Sequence, residues 1–314
     1  MTGMTGKLVT VFGGSGFIGR HLVQRLAAQG HIVRVAVRNP EEALYLKVMG
    51  RVAHIVPISA DVANESSVAR AIVGADWVVN LVGILAPGDK ASFERMHVLG
   101  AETVAKAAAA AGVSRLVHLS ALGAAADSPA VYGQTKAKGE AALRAAFPAA
   151  TILRPSVIFG PEDKFFNMFA SMTRFFPVLP VLPTQFQPVY VGDVADAIVA
   201  ALTRDDATGA TFELGGPEVV SGRTLMELVL KYTGRRRLLA TVPFWILAIE
   251  GLILQHLPGK LLTADQVLMM HTPNVVSPGA KTLADLGVQA TPMGAILPSY
   301  LSRFRLPTRR GLAR

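Results

Sequence analysis

Lys7-Leu-Val-Thr-Val-Phe12, then Gly13-Gly14-Ser15-Gly16-Phe17-Ile18-Gly19, then Ile32 to Val37: the reading of these residues decides the fold. The first run is short and apolar, as a buried strand is. After the glycines, Ile18, Leu22, Val23 and Leu26 recur at helical spacing. The third run is a second apolar strand. Strand, glycine-rich turn, helix and strand form the unit that binds the pyrophosphate of a dinucleotide. The glycines let the backbone approach the phosphates, and the helix N-terminus supplies N–H groups and the positive end of its dipole. The expected cradle is Gly13, Gly14, Ser15, Gly16, Phe17, Ile18 and Gly19.

A site that prefers NAD ends its second strand with an acid that holds the ribose hydroxyls. Here the strand ends Val37-Arg38-Asn39-Pro40, without a carboxylate. Arg38 suits a bidentate contact to a 2′-phosphate, which predicts NADP(H) in preference to NAD(H); a solvated strand-end arginine is the plain alternative.

Strands are expected at 8–12, 32–37, 53–58, 77–82, 115–120 and 151–158, and helices at 17–29, 41–49, 65–74, 91–111 and 130–146. Alternation of this kind predicts an α/β fold, a doubly wound parallel Rossmann sheet covered on both faces. Asp61, at the end of the third strand, is placed to accept from the adenine amino group, with Val62 beside it; a generic loop aspartate fits equally. Leu81, Val82 and Gly83 follow the fourth strand, where a small residue lets backbone run beside the adenosine. After Gly160 the composition changes. Residues 161–186 are rich in Phe and Pro and read as an excursion, and further strands at 189–191 and 211–214 flank a helix at 193–203. The expected division is 1–160 plus about 187–216 for the dinucleotide-binding domain. A smaller, mostly helical C-terminal lobe takes 161–186 plus 217–314.

The 314 residues suffice for a sizeable core. The absence of cysteine excludes disulfides and thiolate chemistry. A formal charge of +9 suggests an acidic partner or surface. No aromatic-interleaved basic platform is present, so nucleic acid is not expected. No metal site is read. The first strand begins at about Leu8, leaving no room for a cleavable signal peptide, and the chain reads as cytoplasmic. The apolar stretch Leu238–Leu262 is interrupted by Pro243 and Pro258. Its proline-free piece, Phe244 to Leu257, would span roughly 21 Å as a helix, short of the about 20 apolar residues a membrane span needs. It is nearly apolar all round, with Arg235-Arg236-Arg237 before it and Lys260 after it. Arg303, Arg305, Arg309, Arg310 and Arg314 form an acid-free tail. Apolar helices flanked by cations suit peripheral contact with an anionic membrane, here the inner membrane face, or an acidic subunit. Core packing for the helix and a solvated tail are the plain alternatives.

Tyr132-Gly-Gln-Thr-Lys136 places a tyrosine and a lysine one helical turn apart, with Ser120 twelve residues upstream at the end of the fifth strand. This constellation resembles the extended or atypical branch of the short-chain dehydrogenase/reductase superfamily. The resemblance implies Tyr132 as general acid/base, Lys136 holding the nicotinamide ribose and lowering the tyrosine pKa, and Ser120 bonding a substrate oxygen. A tyrosine and lysine that bind ribose without turnover are the alternative. Pro155, Ser156, Val157 and Ile158, within Leu153–Gly160, resemble the strand beside the nicotinamide. His97 stands where many members carry an asparagine that supports proton relay. Later segments narrow the resemblance: Phe159–Asn167, Leu262–Val267 with Met270 and His271, and Leu286–Pro292 look like the NADPH-binding accessory subunit family of respiratory complex I and its bacterial relatives. This implies a tightly held, structural dinucleotide and partners among complex I subunits, or a quinone-related apolar ligand. A working NADP-dependent reductase or epimerase on an isoprenoid-like substrate, using Ser120, Tyr132 and Lys136, is the rival expectation. A nucleotide-sugar epimerase is disfavoured because its pocket would need more polar groups than 165–190 provides.

Overall fold

The computed structural model describes residues 6–88, 92–254 and 263–305. In chain order it begins β1 (Leu8–Phe12), α1 (Phe17–Ala28), β2 (Ile32–Val37), a 3-10 stretch Glu41–Met49, β3 (Ile55–Ser59), α2 (Glu65–Ile72) and β4 (Trp77–Asn80). A π-helical turn, Glu94–Leu99, leads into α3 (Gly100–Ala110), then β5 (Arg115–Leu119), α4 (Val131–Ala146) and β6 (Thr151–Pro155). There follow β7 (Ile158–Phe159), α5 (Phe165–Phe175), β8 (Val178–Val181), β9 (Gln185–Phe186), β10 (Val189–Tyr190), α6 (Val191–Thr203) and β11 (Thr211–Leu214). The remainder is β12 (Val220–Ser221), α7 (Gly222–Thr233), β13 (Leu238–Thr241), α8 (Phe244–Leu254), α9 (Ala264–Met269) and α10 (Met293–Leu301).

Two compact units result. The first comprises residues 1–155, 191–214 and 276–289, and the second 156–190, 215–275 and 290–314. The first holds a seven-stranded sheet in the order β11-β6-β5-β4-β1-β2-β3, all parallel. Its strands are near-continuous apolar runs because helices cover both faces. Val9, Val11, Phe12, Val78, Val79 and Leu116 are at most 1% exposed. The one polar residue in β1, Thr10, is buried because its hydroxyl donates to Ala71 O at 3.0 Å. The strand order reverses between β1 and β4, and a parallel sheet receives ligands outside its carboxyl ends at such a point.

Five expectations change. The helix expected over 41–49 is a 3-10 stretch. The helix expected over 91–111 is in two parts, the π-helical turn and α3. The strand expected over 151–158 stops at Pro155, because the Ser156 hydroxyl and Val157 N–H both bond to Asn274 Oδ1 at 2.6 and 2.9 Å. The Phe/Pro-rich excursion is organised as α5, β8 and β9. Residues 276–289, expected in the C-terminal lobe, lie with the first unit. They run along β11: Ser277 N–H donates to the Glu213 carboxylate at 2.8 Å, and Glu213 N–H donates to Lys281 O at 2.8 Å.

In the second unit a separate core gathers Phe159, Phe166 and Phe169 with Leu225, Met226 and Leu297. The apolar stretch after Arg237 begins as a strand: β13 pairs in parallel with β8. In α8, Leu247 is buried, whereas Trp245, Ile249 and Leu252 form an exposed stripe at helical spacing. Among the described residues no helix is long and apolar enough to cross a membrane. Residues 255–262 and the tail arginines Arg309, Arg310 and Arg314 lie outside the described residues.

Candidate functional site

The glycine turn sits at the topological switch. Gly13 has φ +75° and its N–H bonds Ala36 O; the Gly16 N–H bonds back to Gly13 O at 3.0 Å. The left-handed Gly13 is a conformation glycine adopts without steric cost. A Cβ on Gly14 would lie 3.0 Å from Val35 Cγ1, and one on Gly19 only 2.5 Å from Gly13 O and from Gly14 C and Cα. The turn and the first coil of α1 are therefore packed backbone to backbone. No side chain caps α1 at Gly16, and its first turn carries no acid. Helices α2 and α7, by contrast, are capped by Asn64 and Ser221. An uncapped, acid-free N-terminus behind a glycine turn presents its N–H groups to an anion. Leu81 N–H bonds Phe12 O at 3.0 Å, and the Cβ site of Gly13 lies 3.4 Å from Leu81 C and 3.5 Å from Val82 Cγ2. The turn thus adjoins the segment Leu81, Val82 and Gly83.

Sequence reasoning missed a second support. The Tyr45 hydroxyl, from the 3-10 stretch, donates to Ser15 O at 2.9 Å. The Arg20 guanidinium lies over its ring, 5.3 Å from the centroid. Tyr45 occupies the Ser15 carbonyl, and Arg20 brings a cation one residue beyond the glycine cluster. A tyrosine thirty residues downstream leaves no spacing signal for this. Arg38 is exposed, directly after β2. Asp61 is partly committed: one carboxylate oxygen accepts from Ala63 N–H at 3.0 Å and the other lies 3.8 Å from Arg95. The Val62 side chain is buried in the core, which leaves its backbone as the only part able to meet a ligand.

Further along the same sheet edge, Gly83, His97, Tyr132 and Lys136 come together, and Ser120 directly follows the Leu119 carbonyl that Lys136 bonds. Lys136 is buried; its Nζ donates to Leu119 O at 3.3 Å and lies 5.9 Å from the centre of the Tyr132 ring. It also lies 3.1 Å from the Cβ site of Gly83, so a glycine there admits the lysine tip. Ser120 is 4% exposed, and its hydroxyl has no hydrogen-bond partner. A buried orphan hydroxyl is costly unless a ligand completes it. His97 stacks on Phe93 and meets Tyr132 edge-on, with centroids 5.3 Å apart in both pairs.

His97 is a structural link. Its Nε2 accepts from Ile84 N–H at 3.2 Å. This leaves Nδ1 protonated, 3.1 Å from the Thr135 hydroxyl. Thr135 in turn donates within α4, to Val131 O or Tyr132 O. Burial, reinforced by the Lys136 ammonium, lowers the His97 pKa to about 3, so the ring stays neutral. Burial pushes the Tyr132 pKa up to about 12. Burial also lowers Lys136 to about 8, opposed by Glu140 one turn on.

A prediction follows from Lys136. Below pH 8 the ammonium is buried in the folded protein and hydrated in the unfolded chain, so it opposes folding. Lys136→Met should stabilise the dinucleotide-free protein by about 2 kcal/mol at pH 7 while abolishing dinucleotide retention, the gain being reduced by the carbonyl left without its partner. The wild type should regain this stability as pH rises from 8 to 10.5. Urea midpoints across that range check it, and a variant no more stable than the wild type refutes it.

Pro155 closes β6. Ser156, Val157 and Ile158 belong to the second unit. There Asn274, which sequence reasoning also missed, holds Ser156 and Val157, donates its N–H to Gln185 O and accepts from Gln187 N–H through its carbonyl. Ile158 pairs with Val189. One asparagine side chain thus fixes the backbone just past β6.

A family model described as NAD(P)H-binding matches residues 13–205. The NADH-ubiquinone oxidoreductase 40 kDa subunit of Neurospora crassa mitochondria is 34% identical over 96% of this chain and 80% of its own length. A ceramide reductase of Caulobacter vibrioides is 34% identical over 62% of this chain and 60% of its own. Among solved structures, an NADPH-dependent quinone oxidoreductase of Escherichia coli, complexed with NADPH, superposes with a TM-score of 0.73 at 18% identity, covering 94% of this chain and 99% of its own.

Proposed function

The chain belongs to the NAD(P)H-binding family of atypical short-chain dehydrogenases/reductases, and from that premise we propose that it is an accessory or assembly protein of respiratory complex I or ubiquinone metabolism, holding NADP(H) as a largely structural element. The observation that carries this reading is the extent of the likeness to the Neurospora complex I subunit, which runs through 96% of the chain and so includes the C-terminal unit. Two features of the site support it. Both His97 ring nitrogens are committed to the protein, and Tyr132 is held far above the pKa suited to proton transfer near neutrality. The residues fit a dinucleotide: the uncapped α1 N-terminus and glycine turn for the pyrophosphate, Arg38 for a 2′-phosphate, and Lys136 with Tyr132 for a ribose. A tightly bound dinucleotide stabilises the folded state by mass action and would fix a docking surface for subunits.

Purification without added cofactor, followed by denaturation and identification of what is released, tests this. Stoichiometric NADP(H) that survives dialysis and does not turn over with carbonyl compounds is the expected result. A site that exchanges NADPH quickly and reduces such compounds overturns it. Arg38→Ala should weaken NADPH binding tenfold or more, the scale of a charge-assisted hydrogen-bond pair, and leave NADH binding unchanged. Equal losses for the two would refute the 2′-phosphate role.

The orphan hydroxyl of Ser120 favours a second reading, an NADP-dependent reductase on an apolar, isoprenoid-like carbonyl compound. A bound dihydronicotinamide would supply the hydride. Ser120 would bond the carbonyl oxygen, Tyr132 would give the proton, and Lys136 would orient the ribose. Turnover lost in Ser120→Ala with dinucleotide binding retained would establish that reading.

A further inference from the structure

A surface of the C-terminal unit lies outside every group assigned to the dinucleotide. Helix α5 ends in Phe175, and Phe176 and Pro177 lead into β8. β8 pairs with β13 so that Val178 stands in register with Leu238, and Leu238 N–H bonds Pro177 O at 3.0 Å. Four large apolar side chains are thereby held on one short ribbon, and all are exposed: Phe175 by 75%, Leu238 by 72%, with Phe176 and Val178 less so. Single exposed apolar residues are ordinary, whereas a contiguous group marks an interaction surface.

Cations of one sign surround it. The Arg174 guanidinium lies over the Phe175 ring at 5.9 Å, and Arg237 is tied back to Thr173 O at 2.9 Å, which fixes the exposed Arg236 beside Leu238. From Lys164 to Phe186 and from Leu228 to Ile249 every charged residue is Lys or Arg. The exposed stripe of α8, beginning at Trp245, follows β13 after three residues.

We propose that this ribbon docks on the surface of an anionic phospholipid bilayer, Phe175, Phe176, Val178 and Leu238 entering the headgroup region while Arg174 and Arg236 meet lipid phosphates. Arginine stems lie along apolar surface while their heads reach for phosphate, and aromatic rings favour that depth. A protein partner would instead call for a polar rim with paired hydrogen bonds around the apolar patch. The charges carried beside the ribbon itself, Arg174 and Arg236, are both cations, and the nearest exposed acids in sequence are Glu227 and Glu250. This inference is independent of the dinucleotide reading.

The test uses the full chain as purified, sedimented with vesicles of phosphatidylcholine alone or with about a third phosphatidylglycerol, each cation at an anionic surface being worth about fivefold in partition. Binding to the acidic vesicles should be at least tenfold tighter than to the neutral ones and should fall as much again in about 0.5 M salt. Arg174→Glu with Arg236→Glu, and separately Phe176→Ser with Leu238→Ser, should each weaken it at least tenfold, with dinucleotide content and thermal unfolding as in the wild type. Equal binding to the two vesicle types, or charge-reversal protein that binds like the wild type, overturns the proposal. So does patch-dependent binding to an isolated protein partner without vesicle binding. Loss of dinucleotide with vesicle binding intact would sink the proposed function and leave this inference standing.

Discussion

Gly19→Ala should empty the protein of its dinucleotide and lower its unfolding temperature by about 10 °C, the shift that roughly 4 kcal/mol produces in a chain of this size. The three atoms within 2.5 Å of the new methyl are all backbone: the carbonyl oxygen of Gly13 and the Cα and carbonyl carbon of Gly14. No rotamer change relieves such contacts, so either the turn or α1 must move. Overpacking of this kind costs about 1–3 kcal/mol. A ligand present at a hundredfold excess over its Kd contributes about 2.7 kcal/mol of stability, which is lost with the phosphate cradle. Gly88→Ala is the control, since a Cβ there meets nothing within 4 Å, and it should behave as the wild type. Dinucleotide released on denaturation and the unfolding midpoint are the two readouts. A Gly19→Ala protein with a full complement of dinucleotide would mean that the turn is not the phosphate site.

The second large effect is acid sensitivity. His97 and His118 are each 2% exposed, and burial holds both pKa values at about 3. In the unfolded chain they titrate at the ordinary 6.5. Below pH 6.5 the unfolded state therefore binds protons that the folded state refuses, and stability falls with pH. Each histidine contributes up to about 1.4 kcal/mol per pH unit from 6.5 down towards 3, stability being complete above 6.5. Between pH 6.5 and 5 the pair should remove about 3–4 kcal/mol, a large share of a typical 5–15 kcal/mol. Carboxylates titrate mostly below that window, which isolates the histidines. Urea midpoints at intervals across it should show the slope, and His97→Gln or His118→Gln should each remove a large part of it, His31, whose pKa burial also lowers, keeping a share. A slope indifferent to both substitutions would show that neither ring is held neutral.

The glycine turn was legible because its evidence is local: five apolar residues, a glycine cluster and a helical repeat, each with one physical reading. The parallel sheet followed from the alternation of such units. Ser120, Tyr132 and Lys136 could be found because a strand end and a single helical turn set their spacing. Their electrostatics were not legible. A tyrosine's pKa depends on how deeply it is buried as well as on its neighbours' charge, and in Tyr132 burial dominates. The role of His97 depends on the π-helical turn Glu94–Leu99, whose single extra residue per turn no apolar periodicity announces. Tyr45 and Asn274 act across thirty and more than one hundred residues of sequence, through a hydroxyl in a segment read as a helix, 41–49, and an amide in the C-terminal lobe, neither with a motif around it. The excursion at 161–186 did not read as strands because β8 and β9 are short, β8 containing Pro180 and Pro183 lying between the two.

The two outer strands of the seven-stranded sheet are both closed to strand addition. At one margin β3 carries Pro57, which offers no N–H to an incoming chain. At the other, β11 is overlain by 276–289, which takes up the Glu213 N–H and meets Phe212 through Lys281. An incoming backbone finds no complete row of donors and acceptors at either margin. The first unit is thus guarded at both margins against edge-to-edge polymerisation.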